Sequence, residues 1–303
     1  MTVTEAADLS VPARVRLGNR RVTGKEQYYT PVELAEKLVG EVLAAIGVDS
    51  LEGRTVLEPA GGTGAFVKAA QAAGAAKVVS FDIDPKFSGI RRGDFLDSNP
   101  RLPLDTVAIS NPPFGRNNSL SIPFFNHAAE RCEYICFIVP RSWRKWSVIN
   151  RLDRRFELLA DHDMRIDYVD DRGEHINRKQ SLNTCFQIWR RLPEGRRRPL
   201  IRVADRGVLE KTSPSEADVA LRVFGFGCGT VLEDFERKPN STLMFLKLHH
   251  PAALAALRSV NFERFFSNTA YTEALSFQEI NYLVNEAVFG DPMLLDDIEM
   301  STK

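Results

Sequence analysis

The residues best suited to chemistry are Asn111, Pro112, Pro113 and Phe114. They end the apolar run Val107-Ala108-Ile109-Ser110, which has the character of a buried strand. Each Pro fixes φ and removes a backbone donor, and Pro113 restricts Pro112 in turn. The strand therefore stops in a stiff turn with Asn111 at its mouth and Phe114 beside it. The Asn111 side-chain oxygen and the Pro112 carbonyl can both accept from one NH2 group, and Phe114 can stack on the plane of a flat ring. Accepting both N–H bonds draws the nitrogen lone pair out of the ring's conjugation and makes it nucleophilic. The chemistry this favours is methyl transfer to an exocyclic amine. A Pro-rich turn that merely ends a strand is the alternative, and the features upstream weigh against it.

Several elements must position that turn. Ahead of it, Arg54-Thr-Val-Leu-Glu58-Pro59-Ala60-Gly61-Gly62-Thr63-Gly64 carries a strand (Val56, Leu57) into a glycine-rich turn, then a helix from about Ala65 to Ala73. The N-terminus of that helix offers free N–H groups to a carboxylate. The spacing departs from the G-x-G-x-x-G of dinucleotide sites. A second strand, from Lys77, ends in Asp82-Ile83-Asp84-Pro85 about twenty residues past the glycines. A carboxylate there can accept both hydroxyls of a ribose. Asp82 is the better candidate, since Asp84 before Pro85 suits a turn. Asp94-Phe95 follows, an acid and a ring that could hold an adenine amino group and cover its face.

Earlier still, Tyr28-Tyr29-Thr30-Pro31 opens a helix predicted from Pro31 to Ile46, with Thr30 as N-cap. The tyrosines suit either packing or a ligand's ring. After the Asn-Pro-Pro-Phe turn come a helix (Ser121 to Arg131) and a buried strand (Tyr134 to Pro140), then Arg141-Ser-Trp-Arg-Lys145-Trp146. That basic and aromatic mixture suits phosphate contact and stacking, or a solvated helix start. Asp161 to Gln180 is polar, is expected as a loop and contains His175; Asn183 to Trp189 is a strand. The run Arg190, Arg191, Arg196, Arg197, Arg198 is either a solvated hinge or a phosphate patch.

The 303 residues allow one large domain or two small ones, and a formal charge of zero gives no global field for nucleic acid. Three parts are expected: an N-terminal arm (1–24), a core (25–198) and a C-terminal accessory or target-recognition region (199–303). Helices are predicted there from Pro251 to Val260 and Ser276 to Phe289, with a loose acidic tail from Asp291. From Glu216 to Glu299 there are 13 acids against 6 bases, which disfavours bulk phosphate binding. The four cysteines show no metal spacing and are expected to be core thiols in a reducing cytosol, so no metal is expected. With no apolar signal core and no membrane-length apolar run, a cytoplasmic protein with no membrane partner is expected.

Strand–helix alternation from Val56 to Val139 implies an α/β fold, a doubly wound, mostly parallel sheet, with a small C-terminal α+β region. The ordered set from about Gln27 to Trp189 resembles the S-adenosylmethionine-dependent methyltransferases. More narrowly, it resembles the amino-methylating DNA adenine-N6 enzymes with the gamma-type motif order. The resemblance implies S-adenosylmethionine as cofactor. It implies that Tyr29-Thr30-Pro31, Glu58 to Gly64, Asp82-Ile83 and Asp94-Phe95 would hold it, and that Asn111-Pro112-Pro113-Phe114 would be catalytic. It implies base flipping, with a residue in the His175 loop helping to hold the flipped base. Arg141 and Lys145 are the candidate phosphate contacts. DNA is the implied partner. RNA adenine, cytosine N4 and protein glutamine are served by the same four-residue motif, and a catalytically silent subunit is a further alternative. No target-recognition domain is identifiable after Trp189.

Overall fold

The computed structural model describes residues 29–175 and 182–295. The predicted N-terminal arm, Tyr28 and the end of the acidic tail lie outside these residues.

Seven strands form one sheet: β1 (Thr55–Glu58), β2 (Lys77–Asp82), β3 (Arg91–Arg92), β4 (Thr106–Ser110), β5 (Cys132–Pro140), β6 (Phe156–Met164) and β7 (Thr184–Arg191). Their order is β3-β2-β1-β4-β5-β7-β6. All neighbours are parallel except β7, which runs antiparallel to both β5 and β6. This is the doubly wound, mostly parallel sheet expected.

Side chains alternate along each strand, so consecutive apolar residues feed two different cores. Val56, Val107, Ile109, Cys136, Ile138, Phe186 and Ile188 face one side. There they pack on α1 (Val32–Ile46) and α2 (Ala65–Ala72), through Leu38, Val42, Phe66 and Ala70. Leu57, Ala108, Ile135, Phe137, Val139, Cys185 and Trp189 face the other. They meet α3 (Ser121–Ala128) and the short α4 (Trp146–Ile149). Phe125 of α3 is the hub of that second face, edge-on to Phe137, Trp143, Phe156 and Trp189 at 5.5–6.4 Å. All four cysteines are buried and free.

One strand escapes the sequence reading. β6 overlaps the start of the polar stretch expected to be a loop, and it runs to Met164. Its sequence, FELLADHDM, carries only the short apolar run Leu158–Ala160 before turning polar, because it is the sheet's edge, only partly covered.

Beyond Arg191 the texture becomes antiparallel. β9 (Leu209–Lys211), β10 (Val219–Arg222), β11 (Val231–Leu232) and β12 (Leu243–Leu248) form a sheet ordered β11-β10-β12-β9. It packs on α5 (Ala253–Ser259) and α7 (Phe277–Phe289) through Leu221, Leu246, Leu257, Ile280 and Val284. A short α6 (Glu263–Phe266) lies between those helices. Ser276 caps α7 in a reciprocal box with Glu279. The expected loose tail begins instead with a strand: β13 (Leu294–Leu295) pairs with β8 (Arg202–Val203).

The two regions are fastened at α4. Trp146 stacks on Tyr282 at 5.5 Å, Lys145 pairs with Glu279 at 2.9 Å, and Asn150 exchanges two hydrogen bonds with the Ile201 backbone.

Candidate active site at the sheet's switch point

The strand order reverses direction between β1 and β4, and a ligand crevice belongs at the carboxyl ends of the strands there. The turn after β1 and the turn after β4 both empty into that crevice. It is lined by Tyr29, Thr30, Glu58, Gly62, Phe66 and Asn111, among others.

The glycine turn is tied down before any ligand arrives. The Gly61 N–H donates to the Phe81 carbonyl at 2.8 Å. Gly62 has φ +50°, and a Cβ there would lie 2.6 Å from the Tyr29 ring. Gly64 has φ +81° and precedes α2; its Cβ would lie 2.5 Å from the Phe87 ring. Both positions thus need glycine twice over, for backbone conformation and for space. Nothing in the residues around Phe87 singles it out in advance.

Asp82 closes this turn from the side. Its carboxylate accepts from the Gly62 N–H and from the Asp84 N–H, each at 2.7 Å. A carboxylate has about four acceptor sites, so capacity for a diol remains. Asp84 is engaged by Lys86 at 2.7 Å and lies near Arg92, and the Lys86 hydrogen bond lowers its pKa. Ile83 is exposed beside them.

Glu58 is buried at the mouth of the turn, 1% exposed. Ser110 Oγ donates to its Oε1 at 2.5 Å, and the Ala60 N–H donates to the same oxygen at 2.9 Å. Burial outweighs these bonds and pushes its pKa up to about 8. Ser110 ends β4, directly before Asn111, so one strand end serves both halves of the crevice. A polar residue closing an apolar strand was the signal for it.

Asn111 is half-buried. Its side-chain N–H donates to Thr30 Oγ1 at 3.2 Å, which turns the amide so that its oxygen is left to accept. Thr30 was expected to cap α1. Instead Pro31 occupies that position, no side chain caps the helix, and the Thr30 hydroxyl faces Asn111. Pro112 is buried, and Pro113 and Phe114 are half-buried. The Phe114 carbonyl accepts from the Leu120 and Ser121 N–H groups, which closes the following loop. That loop holds Asn117 and Asn118 at positive φ, and Asn118 bonds Ser142 at 3.1 Å.

Tyr29 exchanges backbone hydrogen bonds with Val169 at 2.9 and 3.1 Å, and Val169 bridges in turn to His175. The His175 stretch is therefore laid alongside Tyr29, with His175 exposed. Burial and the nearby Asp82 raise the Tyr29 pKa, so its hydroxyl stays protonated.

Other predicted site residues are placed differently. Asp94 caps the short turn at Phe95–Asp97 by accepting from the Leu96 N–H at 2.9 Å. Phe95, 2% exposed, is packed against Phe81, Phe124 and His127 and has no face left to cover a ligand's ring. Arg141 pairs with Asp163 at 3.0 Å and Lys145 with Glu279, while Arg144 forks onto Asp161. The basic stretch after β5 is thus largely neutralised by acids distant in sequence. Of the later basic run, Arg190 pairs with Glu157, while Arg191 and Arg198 donate to backbone carbonyls; Arg196 and Arg197 stay exposed. Among the described residues no group of acids, histidines and cysteines could hold a metal, and no helix is long and apolar enough to cross a membrane.

No family model and no curated protein matches the chain. Solved structures similar to it include a protein provisionally named an RNA methyltransferase, from Pyrococcus horikoshii. It is 21% identical over 55% of this chain and 89% of that one, with a TM-score of 0.44. A provisionally named class I S-adenosylmethionine-dependent methyltransferase from Listeria monocytogenes is 14% identical, over 55% of this chain and 61% of that one, with a TM-score of 0.39. The modification subunit of a provisionally named type I restriction enzyme from Vibrio vulnificus is 16% identical, over 59% of this chain and 50% of that one, with a TM-score of 0.39. The fold of this chain rests on its own strand order.

Proposed function

We propose that this chain is an S-adenosylmethionine-dependent methyltransferase acting on the N6 amine of adenine in DNA. The observation that carries the reading is Asn111 at the switch point. Its amide N–H is committed to Thr30, and its oxygen is free to accept. The Pro112 carbonyl is the second acceptor, and Phe114 is the ring beside it.

The crevice fits the cofactor on three counts. The glycine turn brings bare backbone, at Gly61 and Gly62, into the lining of the crevice. Asp82 retains acceptor capacity for a ribose diol, and Ile83 offers an exposed apolar surface next to it. Glu58 lies at the bottom as a buried acid that an ammonium group would ionise. Bound there, S-adenosylmethionine supplies an electrophilic methyl. The chain's own part is to hold and orient. Asn111 and Pro112 accept the two N–H bonds of the amine and turn its lone pair outward, and the spare proton leaves to solvent after transfer. No strong general base is required, because positioning and hydrogen bonding make the nucleophile.

The test is methyl transfer from labelled S-adenosylmethionine to unmethylated duplex DNA, RNA and protein in parallel, with the modified unit identified by mass spectrometry. N6-methyladenine in DNA is the expected product. Label in RNA adenine would move the substrate and keep the Asn111 chemistry. Asn111→Ala should slow turnover by about 10²–10³-fold, as loss of one preorganised hydrogen-bonding group does. Its calorimetric cofactor affinity should stay at the wild-type value. Undiminished turnover in that variant would end the assignment.

A further inference from the structure

The loop that follows the Asn-Pro-Pro-Phe turn is held in an unfavourable conformation. Only three non-glycine residues among those described have positive φ, and two of them are consecutive here: Asn117 at 53° and Asn118 at 62°. Such backbone persists only where the surroundings hold it. Asparagine tolerates the left-handed region better than most residues, but glycine enters it more readily still. What asparagine adds at position 118 is therefore its amide. Asn118 is buried, and its amide binds one partner. Its N–H donates to Ser142 Oγ at 3.1 Å, and the Ser142 hydroxyl donates back to its oxygen at 3.4 Å. Asn117, beside it, is exposed.

The anchor is itself fixed. Ser142 belongs to the short helical turn Arg141–Arg144 that follows β5, the neighbour of β4. Within that turn Arg141 pairs with Asp163 and Arg144 forks onto Asp161. Trp143, fully buried, donates from Nε1 to Ser121 Oγ at 3.2 Å. The next residue, Lys145, pairs with Glu279 of α7. The loop also closes on itself. The Phe114 carbonyl accepts from the Leu120 N–H at 3.2 Å and the Ser121 N–H at 3.4 Å. Gly115 has φ +67°, and a Cβ there would lie 2.5 Å from Ser119 Oγ. Phe114 and Asn118 therefore sit in one closed ring. The Asn111–Phe114 turn is held in front by Thr30, which accepts from Asn111, and behind by Ser142.

We propose that Asn118, through its clasp on Ser142, is a positioning residue for methyl transfer, holding Phe114 and the Pro112 carbonyl where the substrate amine meets them; this rests on the reading of the crevice as a methyltransferase site. Pro112 and Pro113 stiffen the turn from within but do not fasten it to the sheet. The clasp does, through the end of the neighbouring strand. Small displacements forfeit a near-attack geometry, so a turn held at one end only would lose rate before it lost its fold. The clasp and the closure at Phe114 together offset the strain of the left-handed pair. Removing either side chain of the clasp frees the loop to relax.

The experiment uses the full chain, labelled S-adenosylmethionine, and whichever of duplex DNA, RNA and protein the wild type methylates best. Ser142→Ala removes the hydroxyl. Asn118→Gly keeps the backbone conformation and removes the amide. Each should lower kcat about fivefold, the effect of one hydrogen bond. Calorimetric cofactor affinity should be unchanged in both. The double variant should lose no more than the larger single loss, because both single changes remove the same contact. Trypsin should cut after the exposed Arg116 faster in each variant than in wild type. A wild-type kcat in Ser142→Ala, measured well below its thermal midpoint, overturns the proposal even if that midpoint falls, since the clasp would then serve the fold alone. Losses that multiply in the double variant overturn it too, as does a fall in kcat with tryptic cutting unchanged. A wild type that methylates none of the three substrates removes the methyltransferase reading and the proposal with it. An active wild type with an equally active Ser142→Ala removes the proposal alone.

Discussion

The parallel-sheet region and the C-terminal region each bury a core of their own, the first much the larger, yet present opposite surfaces. In the first, polar groups converge: Glu58, Asp82, Asn111 and Thr30 meet where two strand ends open into one crevice, each held by a neighbour. In the second, apolar groups face outward, on a glycine-shaped loop. The difference follows from sheet type. Parallel strands all deliver their carboxyl ends to one edge, so turns far apart in sequence gather there. An antiparallel sheet scatters its turns to both ends and gathers no such set. What it can offer is surface.

The seam between the regions is where the contrast breaks most readily. Lys145 and Glu279 form an ion pair whose carboxylate is almost wholly buried, 1% exposed, with Lys145 at 18%. Removing one partner leaves the other charge desolvated, at a cost of about 3–5 kcal/mol. Lys145→Met should lower the unfolding free energy from urea titration by that amount, with a matching fall in the midpoint, and perturb the fluorescence of Trp146, which stacks on Tyr282. The double change Lys145→Met with Glu279→Gln should recover most of the loss. A midpoint unmoved by Lys145→Met would mean that the ring stack and the Asn150–Ile201 bonds hold the seam by themselves.

That pair also shows what the sequence could and could not reveal. The crevice was legible because its parts are local. A glycine turn, an acid closing a strand and Asn-Pro-Pro-Phe each announce themselves within a few residues, and the topology brings them together. The partners of Arg141, Arg144 and Lys145 lie on β6 and α7, far along the chain, so a stretch that resembled a phosphate patch is mostly internal pairing. Phe95 failed for a related reason: its neighbours Phe81 and Phe124 come from other elements and claim its ring. β6 was invisible because an edge strand needs only a short apolar run. Thr30 had a sound local role as a cap, and the fold spent it on Asn111 instead.

A smaller effect should sharpen the contrast by pH. Glu58 has a folded pKa of about 8 against an ordinary value of 4.5. A carboxyl whose pKa is raised on folding favours the folded state fully only below its unfolded value, and that contribution is lost as pH rises through the folded value. Stability should therefore fall between about pH 4.5 and 8, by a few kcal/mol in total. Glu58→Gln keeps an acceptor for Ser110 and Ala60 but cannot ionise. Its thermal midpoint should be flat across that window and above wild type on the alkaline side. A wild-type slope persisting in Glu58→Gln would place the titrating group elsewhere.

The smallest effect tests whether Asn111 is aimed or merely present. Thr30→Val keeps shape and removes the hydroxyl that accepts the Asn111 amide N–H. Thr30 does not cap α1, so the helix loses nothing. A single hydrogen bond of this kind contributes about 1 kcal/mol, roughly fivefold in rate if it acts only through orientation. Thr30→Val should lower kcat by about that factor with KM for the nucleic acid little changed, since the amide still reaches the substrate but in two orientations instead of one. Thr30→Ser, which restores the acceptor, should return kcat to near wild type. A matching loss in Thr30→Ser would show that the methyl packing, and not the bond to Asn111, is what the position requires.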